Sequence, residues 1–424
     1  MRRRMMCGYT AVISMLVLML LSIQGLVVVD AQQGARRRVV PPAAAINPVQ
    51  LAKIPERMRQ FVEKGRVAGM VTLVAHRGQV VHQQAVGVLD LETKRPMEME
   101  TLFHIASMTK PITALAVMTM VDDGLVGLND PVARHLPAFA DQKLRIRAVE
   151  AVAGSSLEEI RPPARKVTIK DLMTHTSGMR GGYPESMRDL FMQRDLTLAA
   201  AVEAFAREPL EAEPGSRWGY SNMGIATLGR IVEVVSGMPF DRYLSERLFV
   251  PLGMKDSHFF VPAEKMSRMA SIYRFEETRL VRDRRYDLRQ EARYVMPEGG
   301  LYSSAPDLFR LYQMMLNGGV LDGKRILSRA AVEVMTSVQT GELKAGFSPG
   351  VGFGLGWAVV RNTEGMFRLN SIGTFGHGGL FKTYGFVDPA KELVGVILMQ
   401  RLSDDGDVGE EFNAFMAMSA AAVN

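Results

Sequence analysis

The chain has 424 residues, 47% of them hydrophobic and 23% charged, with a formal net charge of +6. That length can bury a large core in one domain or two intimate ones, and the balance excludes collagen, coiled coil and bulk disorder. Basic residues are dispersed apart from Arg36-Arg37-Arg38, with no aromatic-interleaved stripe of the kind that grips nucleic acid, and the single cysteine, Cys7, excludes an internal disulfide or a multi-cysteine metal site.

Residues 1–31 read as a signal peptide. Arg2, Arg3 and Arg4 form a positive start, Ala11 to Val29 is apolar, and Val29-Asp30-Ala31 offers a cut after Ala31. The pattern predicts export to a periplasmic or extracellular location. The apolar run is long, so an uncleaved segment would act as a membrane anchor. Residues 32–47 read as a linker. From Pro48 to Gly65, Leu51, Ile54, Met58, Phe61 and Val62 line one helical face. Met70–Ala75 and Val80–Val86 predict a hairpin across Arg77-Gly78. A buried helix is expected from Ser107 to Asp123, and Asn129-Asp130-Pro131 breaks the chain. Residues 140–165 look irregular, and Ile169 to Leu252 is mainly helical.

Two more helices are expected over Pro306–Met315 and Ser328–Met335. The tail then turns to strands: Gly352–Val360, Gly379–Val387 and Leu393–Gln400, with a turn at Asp388-Pro389 and a last helix over Val408–Ala420. The fold class expected is α/β or α+β. Its antiparallel sheet is built from both ends of the chain and flanked by helices. Residues 48–140 and about 300–424 form the α/β part, and about 141–299 a mainly helical insertion.

Ser107-Met108-Thr109-Lys110 opens a helical run, and no other Ser-x-x-Lys occurs. A spacing of three puts both side chains on one helical face. The helix start stabilises negative charge, and a desolvated lysine tends to the neutral amine that can act as base. Nucleophile plus adjacent base is the arrangement of covalent catalysis. The plain alternative is a serine N-cap and a solvated lysine, but the apolar Phe103-His104-Ile105-Ala106 approach would bury the pair. Tyr220-Ser221-Asn222 follows Pro214-Gly215, and among the ten tyrosines only Tyr220 stands in Tyr-x-Asn. Its phenol can relay a proton if nearby lysines lower its pKa, and Asn222 can donate to a carbonyl; the alternatives are ring packing and a helix cap. His377-Gly378-Gly379 precedes a strand, where glycines let backbone approach a ligand and an N–H can serve an oxyanion hole. By itself it reads as a Gly-rich turn.

In this order and spacing the three elements resemble the active-site set of the serine β-lactamase and penicillin-binding superfamily, in its class C-like version. Asp171–Gly178, Tyr220–Gly224, Pro251–Met254 and Gly299–Ser304 resemble the same group, and the likeness spans about Pro48 to Ala420. The resemblance implies that Ser107 is acylated, that Lys110 and Tyr220 share the base and proton-shuttle roles, and that Asn222, His377, Gly378 and Gly379 bind substrate. It places the oxyanion hole at the N–H groups of Ser107 and Leu380, with no metal or cofactor. Histidine replaces the lysine that attracts the drug carboxylate in β-lactamases, and this triplet looks more like family VIII carboxylesterases and the lovastatin acyltransferase. Some D-amino-acid peptidases share it. Lys382-Thr383 reads as a decoy inside a strand, and His175 as a turn-packing residue. No Gly-x-Ser-x-Gly elbow or His-Glu-x-x-His is present. The expected substrate is a small ester first, then a D-amino-acid peptide, then a β-lactam. A transacylase is also open, and the alternative of another class is a binder or sensor without turnover.

Overall fold

A computed structural model describes residues 45–147, 158–365, 369–402 and 409–423. The expected signal peptide and most of the expected linker lie outside these residues. The end of that linker belongs to the fold: Ile46 pairs with Val423, and the Asn47 side chain caps the turn of helix Pro48–Leu51.

The main sheet has seven strands, here β1 (Gly69–His76), β2 (Gln79–Gly87), β3 (Val351–Phe353), β4 (Ala358–Val360), β5 (Phe375–Gly379), β6 (Thr383–Asp388) and β7 (Leu393–Leu398). Their spatial order is β3-β4-β5-β6-β7-β1-β2, antiparallel throughout. The amino-terminal hairpin thus joins the carboxy-terminal meander through β1 and β7, in the register Val71 opposite Leu398 and His76 opposite Leu393. Because strand side chains alternate between faces, Val71, Leu73 and Ala75 enter one core while Met70 and Val74 enter another. Both faces are covered, so β1 and β7 read as unbroken apolar runs. Arg77 and Gly78, both at positive φ, make the two-residue hairpin turn.

Five longer helices frame the sheet: α1 (Lys53–Glu63), α2 (Thr109–Asp122), α3 (Asn222–Ser236), α4 (Ala305–Leu316) and α5 (Glu410–Ala421). The apolar stripe of α1 packs with Phe415 and Met416 of α5 over one face, as its spacing predicts. On the other face α4 lies against β6 and β7, and beyond it α2 and α3 pack together. Every residue of α2 from Thr109 to Met120 is buried, as expected of a helix that is apolar all round.

Several boundaries differ from the sequence reading. The Gly352–Val360 strand is two strands, folded back where Gly356 takes positive φ. Part of 140–165 is a hairpin, Leu144–Arg147 with Glu158–Arg161, rather than irregular chain. Tyr273–Glu276 and Arg279–Arg282 form another inside the mainly helical stretch. His377-Gly378-Gly379 is no turn: it lies in β5, where Gly378 pairs with Tyr384 and Gly379 with Thr383. The turn comes after it, at 380–382. Residues from Ala45 onward form one compact unit.

Candidate active site

Ser107 sits in a 3-10 turn, Ala106–Met108, that runs straight into α2. Ala106, just before it, holds φ +44, an unfavourable backbone conformation for a side-chain-bearing residue. The amide of Ser107 is among the first N–H groups of this helical run, which have no intrahelical acceptor. One turn on, Lys110 is buried, 1% exposed, inside the core. Its Nζ donates to Ser107 Oγ at 3.0 Å and to the backbone carbonyl of Glu298 at 2.6 Å. Burial drives its pKa down to about 7, against an opposing pull from the Glu298 charge.

Tyr220 reaches the same point from the loop before α3. Its ring lies 4.7 Å from Lys110 Nζ, and its hydroxyl bonds to Ser107. The expectation that lysine would lower the phenol's pKa is corrected: burial pushes it up, and the bond to Ser107 opposes this only in part. With the amine near 7 and the phenol far above, the amine is the one of the two that loses its proton around neutrality. The loop is pinned by His175, whose Nδ1 accepts from the Ser221 N–H at 3.1 Å and whose ring lies 4.6 Å from that of Tyr220. Ser221, not Asn222, caps α3, its Oγ accepting from Gly224 N–H at 3.1 Å. Asn222 is the first helical residue, half-buried, and is not among the residues that line the cavity described next.

Ser107 opens into a cavity of about 370 Å³, walled by Tyr220, Phe347, Val351, Phe353, Ala358, His377, Gly378, Gly379, Leu380, Tyr384 and Phe412, with Ser348, Lys382 and Thr383. His377 Nδ1 bonds the Gly378 carbonyl at 2.7 Å, so it holds the proton, and Nε2 is a lone-pair acceptor. Burial holds this imidazole's pKa at about 4, leaving it neutral at pH 7. Gly379 ends β5 against the residues that lead into the Ser107 turn: a Cβ there would lie 2.2 Å from Ile105 O and 2.3 Å from Thr383 Oγ1. Only glycine lets the strand end come this close to the Ser107 turn. Lys382, at φ +58, belongs to this turn rather than to the strand, and its ammonium meets buried Glu411 at 3.1 Å.

The sequence reading missed the aromatic walls, Phe347 and Phe353, and missed Glu298 beside Lys110. A lone acid in the apolar, Gly-rich run Tyr294–Leu301 was the available signal for Glu298. Among the described residues no cluster of His, Cys, Asp and Glu is arranged to hold a metal ion, and no helix is long and apolar enough to cross a membrane.

An antiparallel sheet flanked by helices, with a serine and a buried lysine at the start of a core helix, defines a serine hydrolase of the penicillin-recognising type. The Beta-lactamase family model matches residues 54–415, and the chain belongs to that family. It is 30% identical to Esterase EstB of Burkholderia gladioli over 87% of this chain and 95% of that one. Penicillin-binding protein 4 of Amycolatopsis lactamdurans is 31% identical, over 83% of this chain and 85% of that protein. Among solved structures, EstCE1, a hydrolase with promiscuous acyltransferase activity, superposes with a TM-score of 0.72 at 26% identity, covering 89% of this chain and 99% of that one.

Proposed function

We propose that the chain hydrolyses uncharged carboxylic esters through an acyl-enzyme on Ser107. The supporting observation is the 3.0 Å contact between Lys110 Nζ and Ser107 Oγ at the floor of a mainly apolar cavity. Neutral Lys110 takes the hydroxyl proton as Oγ attacks the carbonyl carbon. The amides of Ser107 and Leu380 hold the oxyanion. Tyr220 passes the proton from the ammonium to the departing alkoxide, and water then cleaves the acyl-enzyme by the reverse path. His377, Gly378 and Gly379 border the substrate in this reading.

The choice of ester rests on His377. A neutral ring in the cavity wall offers a substrate carboxylate no cation, whereas the aromatic walls suit an apolar group. Esterase EstB, so named, is consistent with this. A β-lactamase that attracts the carboxylate of its drug would need a cation at that position. The amino-terminal segment supports export, with cleavage after Ala31; amino-terminal sequencing of protein recovered outside the cytoplasm should then begin at Gln32.

The test is turnover of p-nitrophenyl butyrate and a chromogenic cephalosporin by the mature protein and by Ser107→Ala, with a fluorophosphonate probe for the acylated serine. Ester turnover and labelling lost together in the mutant support the proposal. Labelling without turnover indicates a sensor, and faster cephalosporin than ester turnover refutes the substrate assignment.

A further inference from the structure

The residue whose backbone carbonyl holds the Lys110 amine also carries a buried carboxylate. Glu298 is 1% exposed. It is presented by a tight turn in which Met296 takes φ +60 and its carbonyl accepts from Gly299 N–H at 3.0 Å and Gly300 N–H at 2.7 Å. A Cβ on Gly300 would lie 2.4 Å from Val295 O, so the turn closes only around glycine. Glu298 Oε1 accepts from the phenol of Tyr294 at 2.9 Å and from that of Tyr183, while Oε2 has no partner among the described residues. An acid in so dry a place is costly unless a cation compensates it.

Two cations are near. Arg194 acts on both phenols, but its Nη2 bonds His104 Nε2 at 3.1 Å, and it is not among the groups that move Glu298. Lys110 is: amine and carboxylate each favour the other's charged form, and the Glu298 backbone already accepts the amine's hydrogen bond. Tyr220 also feels the carboxylate, and the Lys110 charge acts on His175 and His377.

We propose that Glu298 is the buried counter-charge of Lys110, a positioning residue that aims the amine at Ser107 through its carbonyl and stabilises the ammonium formed on acylation through its carboxylate. The inference rests on the reading that Lys110 accepts the Ser107 proton. In that step the Oγ–H bond breaks, an Nζ–H bond forms, and the carboxylate gains no proton; it lowers the energy of the cation beside it. Burial pushes this carboxyl's pKa up, and the phenols of Tyr183 and Tyr294 oppose that by donating to it.

The sign of the pH effect follows. The carboxylate favours the ammonium, so removing its charge leaves Lys110 neutral to lower pH but a weaker base. Glu298→Gln should move the acid limb of kcat/KM for p-nitrophenyl butyrate down by about one pH unit and lower the plateau by roughly tenfold or more. Glu298→Asp should restore part of both. Tyr294→Phe, which leaves the acid but removes one donor, should shift the limb the same way by less, and it serves where the Gln variant does not fold. A lower plateau with an unmoved acid limb in the folded variant would reduce Glu298 to a packing role and overturn the proposal. An active wild type with inactive Ser107→Ala would in that case leave the esterase reading standing. A Ser107→Ala variant as active as wild type would overturn both.

Discussion

Gly379→Ala tests whether the end of β5 sets the oxyanion site. The added methyl would sit 2.2 Å from Ile105 O and 2.3 Å from Thr383 Oγ1, both part of the packing that joins the strand end to the nucleophile turn. Ordinary carbon–oxygen contact is about 1 Å longer, and a displacement of that size at reacting groups can cost on the order of 100-fold. Loss of one oxyanion donor costs a similar ~100- to 1,000-fold in kcat. The expected result is a fall in kcat of about 100-fold with KM changed far less, because the apolar walls stay in place. Gly378→Ala is the internal control: its Cβ would meet a ring carbon of Tyr384 at 3.1 Å, a neighbour that can give way, and its loss should be under about tenfold. Steady-state kinetics on p-nitrophenyl butyrate decide the matter, with thermal melting to verify folding. A folded Gly379→Ala enzyme within threefold of wild-type kcat would refute the reasoning.

For the wild type, kcat/KM should rise with pH through about 7, since Lys110 must be neutral to accept the proton and its pKa lies near there; a limb near 10 in a pH-rate profile would contradict this. Phe347 is 75% exposed at the cavity mouth, its ring 5.0 Å from that of Tyr220. Phe347→Ala should therefore leave the melting temperature unchanged while raising KM for apolar acyl esters by about fivefold, near 1 kcal/mol of lost apolar contact. His175→Ala removes the acceptor for Ser221 N–H and should cost about 1–3 kcal/mol in denaturant unfolding, with kcat falling as Tyr220 loosens. Lys382→Met strips one cation from buried Glu411, which Arg66 and Arg401 also approach, and should destabilise by about 3 kcal/mol with an intact ester KM; a raised KM at unchanged stability would make Lys382 a substrate ligand instead.

Local and periodic features were legible in the amino-acid order. The stripe Leu51, Ile54, Met58 and Phe61 gave α1, and the apolar runs around Arg77-Gly78 gave the hairpin. The three-residue spacing put Ser107 and Lys110 on one helical face, and the joint set of motifs gave the family. Tertiary structure alone decided the rest, because burial and long-range contact set it. Whether His377-Gly378-Gly379 is turn or strand depends on the partner strand β6, which the triplet's own residues do not encode. Of the two groups the amine and not the phenol titrates around neutrality, since desolvation lowers one pKa and raises the other. Glu298 lies 188 residues from Lys110 along the chain yet supplies the carbonyl that holds its amine. No spacing rule joins positions so far apart; only the core that closes around them does.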